Sequence, residues 1–428
     1  MGAAAVLAGL GAWVPGEGVD NDELACRLGL KLDSEWIRSR TGISRRHLVA
    51  PGQSTGDLAV EACRRALANA DADAGPIDAL VLATSTPDQL CPPTAPQVAA
   101  ALGLGRIAAF DLGAVCSGFV YGLAAGAGLL ATGVARTVLV AGADTFSTIV
   151  DPEDRTTAAV FGDGAGAVVL RTGRAGEPGA VSGFDLGSDG TEYELLTVPG
   201  GGSRRRSTGE PAKVEESYLV MDGPRLFARA VRLMAESLSR SAALAGWAMA
   251  DVDRFVLHQA NARILAAVAR SLGVPEERFV ANIARVGNTA AASIPLALAD
   301  AAARGGLNAG HRVLISGFGG GLTWGSAALV WPGLGPVAAV AATPSRRITM
   351  HQVQSRIGGL LADTLRVPGE AIKPEATFTS LGIDSLILVE LALLLSDEFA
   401  VPIADGELLP EMTIGAVAEL VLERSPAR

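Results

Sequence analysis

The strongest constraint on the fold is an internal duplication, because two stretches about 175 residues apart read alike. In the first half, the apolar strand IDALVLATST is followed by a small-residue helix, the strand TVLVAGAD and the predicted strand pair AVFGDGAGAVVL. In the second half the same order is given by VDRFVLHQAN, NTAAASIPLALADAAARGG, HRVLISGFGGG and LTWGSAALVW. Alternating strands and helices predict an α/β domain over residues 1–331, with mostly parallel sheets and halves of about 1–175 and 176–331.

The duplication also predicts where the candidate functional side chains lie. Cys116 and Asn288 follow corresponding strands at similar distances, so we expect both at equivalent helix starts. His258 ends its strand, and open α/β sheets bind ligands at the carboxyl ends of strands. The three side chains are therefore expected in one crevice between the halves.

A change of composition after Trp331 predicts a second domain. Residues 332–345 are uncharged and hold three prolines, which is typical of a linker. Residues 346–428 carry 7 basic and 12 acidic side chains, and three of their segments show helical apolar spacing. We expect a small, acidic, all-α helical bundle there.

Composition excludes several classes of protein. Hydrophobic residues make up 49% of the chain and charged residues 19%, which excludes disorder. The formal charge is −10 and the longest basic run is Arg204 to Arg206, so nucleic acid is not an expected partner. The four cysteines show no CxxC spacing, so we expect neither metal nor disulfides, and a cytoplasmic location. Residues 112–135 are uncharged but rich in Gly and Ala, which favours a buried helix over a membrane span.

Cys116 and His258 are the candidate reactive side chains. A thiol at a helix N-terminus has a lowered pKa, which favours the thiolate, although most free cysteines are only small buried hydrophobes. His258 ends an apolar strand ahead of polar residues, whereas the other three histidines, at 47, 311 and 351, are expected to be structural or solvated. A core histidine remains the alternative.

Four motifs in order, DLGAVCSGF, VLHQANARI, GNTAAASIPLAL and GFGGGLTWG, resemble those of β-ketoacyl-acyl carrier protein synthase III. The resemblance implies a duplicated five-layer αβαβα thiolase fold. It makes Cys116 the acylated nucleophile and His258 with Asn288 the pair that polarises a malonyl thioester carbonyl. The backbone amides of Cys116 and Gly320 would form the oxyanion hole, which stabilises the tetrahedral oxyanion of acyl transfer.

The same resemblance assigns residues to the phosphopantetheine arm of the substrate. Trp36, Arg40, Arg155 and Asn261 match residues of the coenzyme A and pantetheine tunnel, and an indole and a guanidinium suit an adenine. Arg263 matches a residue on which acidic carriers dock, and Arg38, Arg45 and Arg46 extend that candidate basic set. Two departures, Pro224 in place of an Asn and Leu32 in place of a small polar residue, put recognition of free coenzyme A in doubt.

The tail motif FTSLGIDSLILVELALLLSDEF resembles an acyl carrier protein, which makes Ser385 the attachment point of a covalent 4'-phosphopantetheine. An Asp and a Ser at a helix start are also ordinary capping residues. The resemblance implies acyl-coenzyme A or acyl-carrier thioesters and malonyl thioesters as substrates. It further implies a phosphopantetheinyl transferase and the chain's own or other carriers as partners, and a homodimer.

Three functions follow from these residues. The leading one is decarboxylative Claisen condensation that starts a polyketide or specialised fatty-acid chain. An acyltransferase that passes the acyl group to a hydroxyl, an amine or another carrier is the second, since it uses the same acyl-cysteine. A non-catalytic partner of another ketosynthase is the third, and retention of Cys116, His258 and Asn288 disfavours it.

Overall fold

The computed structural model describes residues 3–29, 33–70, 74–211, 213–334, 350–363, 367–368, 371–383, 385–399, 401, 403–404 and 406–424. The chain divides into two compact units, Met1–Ala342 and Thr343–Arg428. Most of the predicted linker at 332–345 lies outside the described residues, as does Leu32. The domain limits drawn from the sequence, at 331 and 346, stay predictions.

Within its described residues, the first half of the larger unit contains seven strands and six α-helices. The strands are β1 Ala3–Trp13, β2 Val19–Asp20, β3 Arg45–Arg46, β4 Ala79–Ala83, β5 Ala108–Leu112, β6 Thr137–Asp144 and β7 Gly164–Arg174. The helices are α1 Asn21–Leu28, α2 Ser34–Thr41, α3 Thr55–Asn69, α4 Ala95–Ala101, α5 Gly118–Ala131 and α6 Arg155–Ala158.

The second half has six strands and five helices among its described residues. The strands are β8 Ala180–Ser188, β9 Leu196–Thr197, β10 Val220–Met221, β11 Arg254–Leu257, β12 Arg312–Gly319 and β13 Thr323–Val330. The helices are α7 Ser203–Arg206, α8 Gly223–Leu244, α9 Ala262–Leu272, α10 Ile283–Val286 and α11 Ser293–Ala303.

Nine strands form one mixed sheet in the order β11-β12-β13-β8-β1-β7-β6-β4-β5. The halves meet where β1 pairs with β8. Only the β4–β5, β4–β6 and β11–β12 pairs are parallel, so the prediction of mostly parallel sheets is wrong. The reason is that β7 and β13 return beside β6 and β12 without a long crossover helix, and such returns pair antiparallel.

The sheet has two parts, one from each half of the larger unit. Helices and sheet parts stack in five alternating layers, which confirms the predicted thiolase-like architecture. α5 and α11 lie between the two parts of the sheet, where Phe119 and Leu296 share a core with Val140 and Ile315. α3 packs Leu58 and Ala62 on the outer face of the first part. α8 and α9 cover the outer face of the second part, through the side chains Leu233, Leu238, Leu265 and Val268.

The uncharged segment 112–135 contains α5, a buried central helix, as predicted. No helix in the described part of the chain is long and apolar enough to cross a membrane.

The duplication is regular at the centre of the molecule. β6 and β12 differ by 175 in number at both ends, and so do the starts of α5 and α11 at Gly118 and Ser293. A short 3₁₀ turn precedes each helix, at Val115–Ser117 and Ala290–Ala292. Cys116 therefore corresponds to Ala291, and Asn288 lies three residues earlier. The prediction that Cys116 and Asn288 occupy equivalent helix starts is wrong, because their distances from the strands are only approximately equal.

The second unit is helical, as predicted. Its helices are α12 Met350–Asp363, α13 Ser385–Phe399 and α14 Ile414–Arg424, which correspond to the three segments with apolar spacing. Ile357, Leu391, Leu395, Val417 and Val421 are buried together in its core. The unit is thus a small helical bundle with a hydrophobic core of its own.

Candidate active site

The chemically useful residues of the sequence meet in one cavity. Cys116, His258, Asn288 and Gly320 all line a space of about 140 Å³. The first residue comes from the first half of the larger unit and the other three come from the second half. The expected convergence between the halves is what the geometry shows.

Cys116 lies in the 3₁₀ turn just before α5 and is only 4% exposed. Burial raises the pKa of its thiol, and the nearby Asp144 carboxylate raises that pKa further. The expectation of a lowered thiol pKa at this helix terminus is not met, because burial disfavours the thiolate. The group at rest is a thiol.

His258 follows β11, and its backbone N–H donates to the carbonyl of Ser316 at 2.8 Å. Its Nδ1 is buried and makes no hydrogen bond within the described residues. Burial lowers the pKa of His258 to about 3, so the imidazole is neutral at ordinary pH. A neutral imidazole has one N–H donor, and it is a much weaker acid than an imidazolium.

Asn288 is held by its backbone and by its side-chain oxygen. Its N–H donates to Val160 O at 3.0 Å, and its carbonyl accepts from Gly162 N at 2.9 Å. Its Oδ1 accepts the Ala290 N–H at 3.0 Å, so the NH₂ group is left to donate. These bonds use residues 159–163 in an irregular conformation. The predicted strand pair there is instead the single strand β7, which begins only at Gly164.

The glycine-rich turn after β12 lies against the cysteine turn. A Cβ atom added to Gly319 would stand 2.7 Å from the backbone nitrogen of Cys116, and one added to Gly320 would stand 2.9 Å from Leu196. Both distances are shorter than real Cβ atoms show, so only glycine allows this approach. The sequence indicated Gly320 as a functional glycine but not Gly319. The offset of 175 was the available signal, because it makes Gly319 the counterpart of Asp144 at the end of β6.

The walls of the cavity are mostly apolar, and sequence reasoning missed them. α8 contributes one face of its first turns, with side chains four residues apart, which is the spacing that could have revealed it. The apolar lining residues are Val160, Phe161, Leu196, Met221, Leu226, Phe227, Ala230, Met234, Ala260, Ile264 and Phe318.

Of the predicted tunnel residues, Asn261 alone lines the cavity. Its Oδ1 accepts the Arg263 N–H at 2.9 Å at the start of α9, and its Nδ2 donates to the carbonyl of Arg40 at 3.0 Å. Trp36 is 38% exposed, and the Arg40 guanidinium lies over its ring at 5.4 Å. In this arrangement the Arg40 guanidinium itself covers one face of the Trp36 ring. Arg155 is exposed at the start of α6.

The predicted basic docking set is partly wrong. Arg263 is exposed, with its guanidinium 5.9 Å from the Phe227 ring, and Arg45 is exposed as well. Arg38 is exposed and pairs with Glu35. Arg46, in contrast, is fully buried, and its Nη2 donates to Ala159 O at 2.8 Å, so it cannot contact a carrier.

Pro224 stands in the first turn of α8, where backbone N–H groups lack intrahelical partners, so proline is tolerated. Its ring cannot supply the hydrogen bond of an Asn side chain. His47, expected to be structural or solvated, is buried and contacts the carbonyl of Pro15 through Nδ1 at 3.0 Å.

The comparisons with known proteins agree with this geometry. Residues 110–190 and 242–331 match the models of 3-oxoacyl-[acyl-carrier-protein] synthase III and of its C-terminal part, and residues 355–421 match the phosphopantetheine attachment site. Beta-ketoacyl-[acyl-carrier-protein] synthase III 3 of Streptomyces coelicolor is 54% identical over 79% of this chain and 100% of that protein. The synthase III of Pseudomonas aeruginosa is 51% identical over 78% of this chain and 99% of its own length.

Solved structures give the same result. The 3-oxoacyl-(acyl carrier protein) synthase III of Pseudomonas aeruginosa superposes with a TM-score of 0.71 at 50% identity, covering 78% of this chain and all of that one. The priming β-ketosynthase of the R1128 polyketide pathway gives 0.70 at 33% identity, over 77% and 96%. Fold and cavity define a thiolase-like condensing acyltransferase. Within that class, the chain belongs to the β-ketoacyl-acyl carrier protein synthase III family and carries a phosphopantetheine-binding domain at its C-terminus.

The phosphopantetheine-binding domain implies a covalent 4'-phosphopantetheine. Ser385, the predicted attachment point, is the first residue of α13, a fifteen-residue helix, and a serine has the hydroxyl that a phosphodiester needs. The residues present therefore fit the group, which when bound carries an acyl chain as a thioester. The preceding Asp384 lies outside the described residues. Within the described part of the chain, no three His, Cys, Asp or Glu side chains form a metal-binding group.

Proposed function

We propose that the chain condenses a Cys116-bound acyl group with a malonyl thioester and releases carbon dioxide. The observation that carries the proposal is the fixed orientation of the Asn288 amide, whose Oδ1 is occupied by the Ala290 N–H. The NH₂ of Asn288 and the neutral His258 then offer two uncharged donors in the cavity that holds Cys116.

The first half-reaction is acyl transfer to Cys116. The sulfur attacks the thioester carbonyl, the leaving thiol departs with the proton of Cys116, and a thioester to Cys116 remains. The oxyanion of the tetrahedral intermediate is stabilised by the backbone amides of Cys116 and Gly320. Because burial raises the pKa of the thiol, proton transfer accompanies attack.

The second half-reaction forms the carbon–carbon bond. The malonyl carboxylate leaves as carbon dioxide, and its electron pair generates an enolate whose oxygen accepts hydrogen bonds from His258 and Asn288. The enolate carbon attacks the acyl group on Cys116, and the cysteine sulfur is expelled. A carboxylate in place of the Asn288 amide would repel the enolate.

The substrate arm enters, in this proposal, past Asn261, with Trp36, Arg40 and Arg155 near its nucleotide end and Arg263 at the carrier. Acyl-coenzyme A or acyl-carrier thioesters donate the acyl group, and a carrier delivers the malonyl group. Ser385 is proposed to be modified by a phosphopantetheinyl transferase and to act as one such carrier.

Fusion to a carrier supports a role in starting a polyketide or specialised fatty-acid chain, and the 33% identity to a priming ketosynthase is in keeping with it. We propose further that the protein works in the cytoplasm as a homodimer.

The test is the substitution Asn288→Asp. We expect carbon dioxide release from a malonyl thioester to fall by about 100-fold, the size of a lost oxyanion donor, while acylation of Cys116 measured by intact mass falls far less. Asn308→Asp makes the same change at an exposed loop and should alter neither rate. Equal losses in both half-reactions contradict the assigned role.

The same measurements distinguish the other functions. An acyltransferase would transfer its acyl group to a hydroxyl, an amine or another carrier with little effect of Asn288→Asp. A non-catalytic partner would show no acylation of Cys116 in the wild-type chain.

A further inference from the structure

The two halves hold their central turns in different ways. In the second half, the N–H of Ala291 donates to Oδ2 of Asp144 at 2.9 Å, so a carboxylate at the end of β6 fixes the turn before α11. The corresponding position at the end of β12 is Gly319, which has no side chain. The turn that carries Cys116 must therefore be held by something else.

Two hydroxyl groups make that connection. Ser117 is fully buried, and its Oγ lies 2.8 Å from the carbonyl oxygen of Ala114 in its own turn and 2.9 Å from Oγ1 of Thr323. Oγ1 of Thr323 in turn lies 3.1 Å from the carbonyl of Gly320 and 3.1 Å from that of Ala114. The chain of bonds runs from the residue after Cys116 to Gly320 itself.

The duplication supplies an internal comparison for this pair. Ser117 corresponds to Ala292, which has no hydroxyl, and Ala292 stands in the half where Asp144 binds the turn amide directly. A carboxylate bound to the Cys116 amide would occupy the place of a substrate oxyanion. The hydroxyl pair holds the same kind of turn from the side and leaves that place open.

We propose that Ser117 and Thr323 are positioning residues that fix the spacing between the Cys116 and Gly320 amides. The inference rests on the proposed function, because it gives those two amides the role of oxyanion donors. Donors that are already in place stabilise the intermediate without reorganisation, and a displacement of about 1 Å lowers rates by about 100-fold.

The experiment compares Ser117→Ala, Thr323→Val and the double variant with the wild-type full-length chain. Acylation of Cys116 by an acyl-coenzyme A thioester is followed by quenched-flow intact mass at several concentrations. We expect the maximal rate to fall by about 10- to 100-fold while the half-saturating concentration changes by less than about twofold. The double variant should be no slower than the slower single variant by more than about threefold, because both changes break one connection.

Alkylation of Cys116 by iodoacetamide separates the amides from the thiol. This displacement forms no oxyanion, so we expect its rate to stay within about twofold of wild type in every variant. Thr323→Ser keeps the hydroxyl and should restore acylation to within about threefold of wild type. Ser326→Ala breaks a hydroxyl pair of the same length, 2.9 Å to Ser316, between β12 and β13, and should leave both rates unchanged.

Wild-type acylation in both single variants overturns the proposal. An equal loss of alkylation and acylation also overturns it, because the pair would then hold only the sulfur. Failure of Thr323→Ser to restore acylation does so as well, since packing of the methyl group would be the cause. The acylation assay contains no malonyl thioester. A wild-type chain that acylates in it, but releases no carbon dioxide in the separate malonyl thioester assay, contradicts the condensing function and leaves the positioning role intact.

Discussion

The first and second halves of the larger unit present the same turns to each other, but their functional side chains do not repeat. With the offset of 175, Cys116 corresponds to Ala291, His258 to Ala83, Asn288 to Gly113 and Asp144 to Gly319. Each polar or reactive group is matched by an alanine or a glycine in the other half. The turns pack so closely that a Cβ atom on Gly142 would stand 2.4 Å from the carbonyl oxygen of Ala291. The duplicated scaffold therefore has room for one site, formed from unlike halves.

The largest effect is expected when the two turns are made alike. Cys116→Ala gives the first half the residue that the second half has at Ala291, and it removes the nucleophile. We expect no acyl-enzyme by intact mass and an unchanged unfolding transition. Cys63→Ala, at a buried cysteine that does not line the cavity, is the control and should acylate normally. Acylation of the condensing unit at the wild-type level in Cys116→Ala would disprove the assignment.

The next prediction adds a side chain where the halves differ most. Gly319→Ala would force the end of β12 away from the Cys116 amide, since the new Cβ atom begins 2.7 Å from that nitrogen. We expect acylation to fall by about 100-fold, as for loss of one oxyanion donor. Gly128→Ala, at a helical position with no heavy atom within 4 Å, is the matched control. If both variants acylate alike, the close approach has no catalytic meaning.

A smaller effect concerns Asp144, the carboxylate opposite Gly319. Burial raises its pKa to about 6, although Thr84, Thr86 and two backbone amides donate to it. The folded state therefore holds a proton that the unfolded state has released, and stability is lost as the pH rises from about 4 through 6.

Asp144→Asn removes this titration. We expect urea unfolding at pH 4.5 and pH 7.5 to show a shallower loss of stability in the variant, with a difference of up to about 2 kcal/mol. His258 contributes equally to both proteins and cancels. Parallel pH profiles for wild type and variant would contradict the raised pKa.

The smallest effect is expected at the surface, at the exposed Arg263 near the start of α9. Arg263→Glu should slow acyl or malonyl transfer from carrier-bound substrates several-fold and leave small thioesters unaffected, because exposed charge pairs are weak and screened by salt. Arg136→Glu, at an exposed arginine before β6, is the control. A loss with small thioesters as well would contradict a docking role.

Tethering of the carrier can be tested with the same assay. We expect Ser385→Ala to lose carrier-dependent turnover when no other carrier is present, because alanine has no hydroxyl for the phosphopantetheine. In the wild-type chain the tether gives an effective concentration of about millimolar. A mixture of Cys116→Ala and Ser385→Ala chains, after subunit exchange, restores product if delivery crosses a dimer and gives none if delivery stays within one chain. Full turnover by Ser385→Ala alone would contradict the tail's role as the operative carrier.

The repeat and the meeting of Cys116, His258 and Asn288 could be predicted from sequence, because apolar strands and small-residue helices leave strong local patterns. The five layers were implied by the resemblance of four motifs to the synthase III family. The offset of the two turns could not be read to the residue, since the 3₁₀ turns carry no periodic signal. The burial of Arg46 and His47 was missed for a related reason. A basic cluster predicts solvent exposure, whereas the contact of Arg46 with Ala159 joins residues 113 apart in sequence.

The state of the thiol was also beyond the sequence. A helix start favours the thiolate, but the opposing desolvation at Cys116 depends on side chains packed from both halves. Likewise, the carrier motif locates Ser385 because its signal is contiguous, while Ser117 and Thr323 carry meaning only together. A contiguous motif can be recognised in the sequence, whereas a hydrogen bond between two distant turns cannot.

That bond sets an order of events during synthesis. Ser117 and Thr323 are 206 residues apart, so at about 5–20 residues per second the ribosome adds the second partner roughly 10–40 s after the first. Throughout that interval the nascent chain carries the cysteine without the glycine turn that faces it. The turns around Cys116 are therefore completed late, after β12 and β13 have been made, and the phosphopantetheine-binding domain is synthesised only after them.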